Sequence, residues 1–145
     1  MAIRQLSVFL NDVPGTLADL ARILLDAQIN LRALSVADAR DFAIVRMITD
    51  RPDDAAHAFE QAGYACSVRD VLALRIEDRP GAMYELLREL SEAGVNIDYS
   101  YAFTTPRNLG ACMVVRVAHP DEAQHALEKA GTVELLSEED LSRDL

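Results

Sequence analysis

The chain has 145 residues, 50% of them hydrophobic, and carries a formal net charge of −10. A composition this apolar belongs to a folded globular protein rather than a disordered one. Residues 1–70 hold 7 Arg against 10 acidic side chains, and the rest holds 7 basic against 14 acidic, so a phosphate-rich partner meets repulsion throughout. No basic stripe offsets this, which argues against nucleic acid and anionic membrane surfaces as partners.

The first strand is expected over residues 3–10, where Ile3, Leu6, Val8 and Leu10 are apolar. Asp12-Val13-Pro14-Gly15 ends it. Leu17, Leu20, Ala21, Leu24 and Leu25 then recur at helical spacing. Strands follow over 29–38 and 42–49, joined by the polar Ala39-Arg40-Asp41. Pro52 opens a second helix, where its missing N–H is no loss, and Asp53 and Asp54 face the positive end of the dipole. Gly63 ends that helix, and residues 64–69 form a fourth strand.

The second half reads alike. A strand is expected over 71–77, then a helix lined by Met83, Leu86, Leu87 and Leu90, then a strand over 95–105. Residues 106–110 form a turn and 111–117 a strand. A helix over 120–130, capped by Gly131, leads to a last strand over 133–136, and residues 137–145 make an acidic surface tail of weak helical character.

These halves are one unit written twice. Asp12-Val13-Pro14-Gly15 returns as Asp78-Arg79-Pro80-Gly81, and Ala27-Gln28-Ile29-Asn30 as Ala93-Gly94-Val95-Asn96, both displaced by 66. Pro52-Asp53-Asp54-Ala55 returns as Pro120-Asp121-Glu122-Ala123, displaced by 68. A repeat of this length defines the architecture. The order β-α-β-β-α-β, twice, predicts an α+β fold of two ferredoxin-like units, at 1–69 and 70–145, with antiparallel sheets and helices on one face. Units this small bury only roughly 60% of their unfolded surface, so each is expected to lean on its twin or on a second chain.

Turn and helix together suggest chemistry. The first N–H groups of a helix have no intrahelical acceptor and attract anions. Those around Gly15, Thr16 and Leu17, and around Gly81, Ala82 and Met83, are therefore candidate anion cradles. Asp12 and Asp78 stand beside them as counterparts for an ammonium group. Asn30 and Asn96 each offer an amide donor and acceptor, which suits the orienting of a small zwitterion. The plainer alternative is that each Asp-x-Pro-Gly is a turn whose Asp caps the helix, and each Asn part of a helix end.

Asp12-Val13-Pro14-Gly15-Thr16-Leu17 with Gln28-Ile29-Asn30-Leu31, and Asp78-Arg79-Pro80-Gly81-Ala82-Met83 with Gly94-Val95-Asn96-Ile97, resemble the ACT domain. That family is a small-molecule-binding regulatory module of amino-acid metabolism. The resemblance covers residues 3–136 as two tandem units with no catalytic domain. It implies an amino acid or related carboxylate held where ACT units meet, by Asp12, Gly15, Thr16 and Asn30, and by Asp78, Gly81, Ala82 and Asn96. It further implies a homodimer that modulates an enzyme of amino-acid or aryl-acid metabolism. Serine-sensing members carry a His where Leu10 and Ile76 stand and an Asn where Asp12 and Asp78 stand, so serine is not the expected ligand. Gln28 replaces the usual glycine of the first copy.

Tyr99, Tyr101 and Phe103 share one strand face, where the first copy has Ala33, Ser35 and Ala37. They either pack on the helices or the twin unit, or wall a pocket for a larger side chain. His57, His119 and His125 have no nucleophile nearby and no metal-ligand spacing, so neither catalysis, metal nor cofactor is expected. Two alternatives stay open: a ligand-free dimerisation module, and an acylphosphatase-like hydrolase using Arg79. No apolar run approaches about 18 residues, and no leader is expected before Ile3. Cys66 and Cys112 form no CxxC pair, and a reduced cytoplasmic protein is expected.

Overall fold

In a computed structural model, residues 2–104, 110–131 and 133–143 are described. In chain order the elements are β1 (Ile3–Asn11), α1 (Thr16–Asp26), β2 (Leu31–Asp38), β3 (Phe42–Thr49), α2 (Pro52–Gln61), β4 (Cys66–Ile76), α3 (Ala82–Glu92), β5 (Tyr99–Thr104), β6 (Ala111–Arg116), α4 (Pro120–Ala130), β7 (Leu135–Leu136) and α5 (Glu138–Arg143). They group into two compact units, Arg4–Arg69 and Asp70–Leu145 with Met1–Ile3. The architecture is α+β with antiparallel strands, as the tandem ferredoxin-like reading requires.

In the unit Arg4–Arg69, β3 lies between β1 and β2 and runs antiparallel to both. Leu6 faces Met47 and Val8 faces Val45 across the β1–β3 pair. Alternation sends these side chains to the helices. There they meet Leu20 and Leu24 of α1 and Ala55 and Phe59 of α2. Phe59 is fully buried and stands edge-on to Tyr64, ring centroids 6.3 Å apart. Burial of such a side chain contributes about 3 kcal/mol.

The second unit repeats the plan. β4 pairs antiparallel with β6 on one side and β7 on the other, and β5 pairs with the far edge of β6. Leu72, Leu74, Met113 and Val115 pack on Leu86 and Leu90 of α3 and Leu127 of α4. Tyr99, Tyr101 and Phe103 sit opposite Arg116, Val114 and Cys112. These positions alternate with the core-facing Met113 and Val115, so the three aromatics look away from the helices. They are half-buried there.

Several boundaries differ from the sequence expectation for local reasons. Strand β2 begins at Leu31 rather than residue 29 because the chain first turns out of α1, with Gln28 N–H on Leu25 O and Ile29 N–H on Leu24 O. Gly94 and Val95 make the same turn after α3, which delays β5 to Tyr99. The last strand keeps only two residues. In the tail, Ser137 Oγ accepts from the Asp140 N–H at 3.1 Å, and the Asp140 carboxylate accepts the Ser137 N–H at 2.8 Å. This reciprocal cap starts α5, which buries Leu141 instead of lying wholly on the surface. The expected turn at 106–110 falls, except for Gly110, outside the described residues.

Both cysteines are free thiols. Burial pushes Cys66 up to about 11 and Cys112 up to about 12, which suits small core hydrophobes. Among the described residues, no helix is long and apolar enough to cross a membrane.

Gln28 adopts φ 55°, whereas its repeat equivalent Gly94 has φ 73°. A left-handed residue with a Cβ costs roughly 1 to 2 kcal/mol. Gln28→Gly is therefore expected to stabilise the protein by up to about 1 kcal/mol and Gly94→Ala to destabilise it by a similar amount, as read by urea unfolding.

Candidate functional site

The turns that follow β1 and β4 have the same geometry. Gly15 has φ 91° and Gly81 has φ 89°, and each is the residue from which the helix springs. Only glycine takes this conformation cheaply, and it is the last residue of the short turn that carries the chain from strand into helix. Neither helix start has a side-chain cap. The Asp of each motif therefore does not cap, contrary to the plainer sequence alternative.

Among the described residues, the N–H groups of Gly15 and Leu17, and of Gly81 and Met83, face no acceptor. The Thr16 N–H reaches Val13 O at 3.4 Å and the Ala82 N–H reaches Arg79 O at 3.3 Å, so these two donors are partly spent on the turn. The Thr16 hydroxyl donates to the carbonyls of Asn11 and Val13, at 3.0 Å each. Ala82 turns its methyl into the core and can offer a ligand only its N–H. Asp12 and Asp78 are exposed and have no hydrogen-bond partner among the described residues.

The asparagines lie at the far end of each unit. The Asn30 N–H donates to the Asp50 carboxylate at 3.0 Å, and its carbonyl accepts from Asp50 N–H at 3.2 Å. Arg51 closes that end, donating to the carbonyls of Ala27 and Gln28. Asn96 is exposed and lines a cavity of about 310 Å3 with Gly94, His119 and Glu122. Helices α1 and α3 have 11 residues each and so span about 16 Å. Mouth and asparagine stand at opposite ends of that length. One small amino acid cannot touch both within a unit.

Residues 1–144 match a protein family described as an ACT domain pair. The chain belongs to this family. The ACT pair is also similar to protein BT0572 from Bacteroides thetaiotaomicron, at 35% identity and a TM-score of 0.88, over 97% of this chain and 96% of that one. The regulatory subunit of aspartate kinase from Thermus thermophilus, in its ligand-free form, shares the fold at 14% identity and a TM-score of 0.62, over 88% and 91% of the two chains. The corresponding subunit from Thermus flavus does so at 15% identity and a TM-score of 0.58, over 88% and 91%. No curated protein matches the chain.

The two ACT units differ in charge at their helix mouths. In the second, Arg79 donates to Glu77 at 2.6 Å and grips Glu85, in the first turn of α3, at 2.6 and 3.3 Å. A cavity of about 240 Å3 opens beside these groups, with Arg75, Glu89 and Glu134 on its walls. The first ACT unit has Val13 in the place of Arg79 and Asp19 in that of Glu85, and so has no such clamp. This clamp was invisible in the sequence, where Arg79 reads as a lone loop cation. Two carboxylates already engage it, which weighs against the acyl-phosphate alternative. His57, His119 and His125 are exposed, and no group of metal-ligating side chains occurs among the described residues.

The Arg79 guanidinium holds the Glu85 carboxyl below the usual carboxylate range, first by hydrogen bonding and then by charge. A folded value below the unfolded one stabilises at neutral pH, and that contribution is lost as pH falls through the lowered value. Side-chain NMR titration is expected to show Glu85 titrating below the ordinary carboxylate range. Arg79→Ala should return Glu85 to the ordinary range, and an unmoved Glu85 would contradict the clamp.

Proposed function

We propose that this ACT pair is a regulatory sensor without catalytic activity. It binds an amino acid or related small carboxylate and modulates a partner enzyme of amino-acid or aryl-acid metabolism. The observation that carries this reading is the uncapped helix start present in both units, each with an Asp alongside that has no partner among the described residues. Free N–H donors with the positive end of the dipole favour a carboxylate. Asp12 or Asp78 then takes the ammonium group, and Asn30 or Asn96 of another unit orients the guest.

The length of each helix supports a ligand shared between units, since neither unit alone brings mouth and asparagine together. Binding then biases how units associate, which is the means of signalling. We further propose a cytoplasmic homodimer with units at 1–69 and 70–145. Val13, Leu17 and Leu25 of the first unit and Met83, Tyr84 and Leu87 of the second are exposed apolar side chains that a second copy would cover. The same exposure favours the ligand-free dimerisation module as a second reading.

A thermal-shift screen of the twenty amino acids and common aryl acids separates the two. At a hundredfold excess over its dissociation constant the ligand adds about 2.7 kcal/mol of stability, an upward shift of several degrees. Asp12→Ala or Asp78→Ala should remove the shift at whichever mouth is occupied. A flat response to every compound would leave the dimerisation module standing, and an unchanged affinity in both variants would remove the Asp assignment.

A further inference from the structure

The two ACT units end their leading helices in the same turn, and two side chains set them apart. In the first, Arg51 Nη2 donates to the carbonyls of Ala27 and Gln28 at 2.8 Å each, while Nη1 pairs with Asp54 at 3.2 Å. The last carbonyls of a helix lack intrahelical donors and carry the negative end of its dipole. A planar guanidinium satisfies both needs at once. The repeat carries every acceptor of this arrangement into the second unit, with Ala93 and Gly94 for Ala27 and Gln28, and Glu122 for Asp54.

The donor is not carried over. His119 occupies the place of Arg51, and its side chain makes no hydrogen bond among the described residues. Ala118 likewise replaces Asp50, which in the first unit engages the Asn30 backbone. No donor reaches the Ala93 and Gly94 carbonyls among the described residues. The cavity of about 310 Å3 lies at this spot, lined by both residues together with Asn96, His119 and Glu122. Its volume is that of a small-molecule site.

We propose that this cavity binds the cationic end of a small ligand, a guanidinium or alkylammonium group, where the first unit holds the guanidinium of Arg51. The Ala93 and Gly94 carbonyls accept its N–H groups, Glu122 supplies the countercharge, and the Asn96 amide orients the remainder. The surplus of acidic side chains in residues 71–145 draws a cation toward it. Because the cavity includes Asn96, the proposal deepens the sensor reading and rests on it: the guest is an amino acid or amine with a basic side chain.

Titration calorimetry with L-arginine, with agmatine and with the neutral isostere L-citrulline tests this. Arginine and agmatine should bind saturably, and citrulline about tenfold or more weakly, because the charged hydrogen bonds are lost. His119→Arg should fill the cavity from within and abolish agmatine binding while leaving the melting temperature unchanged or raised. Glu122→Gln should weaken it about tenfold. Agmatine has no carboxylate, so it reads the cavity independently of the helix mouths. Failure of both arginine and agmatine to bind, or undiminished binding to His119→Arg and Glu122→Gln, would overturn the proposal. Should another amino acid score in the thermal screen at the same time, the sensor reading would survive that failure.

Discussion

A glycine with positive φ directly before the leading helix of each unit is the constraint on which the rest depends. Gly15 and Gly81 each close the short turn between strand and helix and open the helix without a capping side chain. That entry sets the helix across the sheet so that Leu20 and Leu24, or Leu86 and Leu90, meet the inward-facing strand residues. It also leaves helix N–H groups facing outward. One backbone conformation thus serves packing and offers a binding function together.

Duplication preserved the frame while the ends of the helices diverged. At the helix mouth, the second unit adds the Arg79 clamp on Glu77 and Glu85, which the first lacks. At the helix exit the difference is reversed: the first unit supplies Arg51 to its own carbonyls, and in the second no donor among the described residues reaches them beside a cavity. The first unit therefore closes its helix exit with its own arginine and the second does not, while both mouths keep N–H groups without an acceptor among the described residues. Equivalent positions in a repeat need not carry equivalent roles, and the side-chain differences say which ends remain available to a guest.

Most of the fold was legible in the sequence because apolar periodicity and turn residues act locally. The repeated Asp-x-Pro-Gly and Pro-Asp-Asp/Glu-Ala blocks marked every major helix start, and alternation marked the strands. Strand beginnings were less legible, since Ile29 and Val95 are as apolar as the residues of β2 and β5 but are consumed in leaving a helix. The tail misled for a similar reason: its acidic composition hid a Ser137–Asp140 cap and one buried leucine. At the site, sequence singled out Asp12, Asp78 and the asparagines but could not separate a capping Asp from an idle one. Arg51 was passed over because its acceptors are backbone carbonyls more than twenty positions away, which no residue pattern announces.

The central claim is that the helix mouths are open donors for a carboxylate. It is tested most directly by amide 1H–15N shifts recorded while each amino acid is titrated into the protein. Saturable movement of the Gly15 and Leu17 amides, or of Gly81 and Met83, on adding one compound is the predicted result. Mouth amides that stay still with every compound, including any that moves resonances elsewhere, would contradict it.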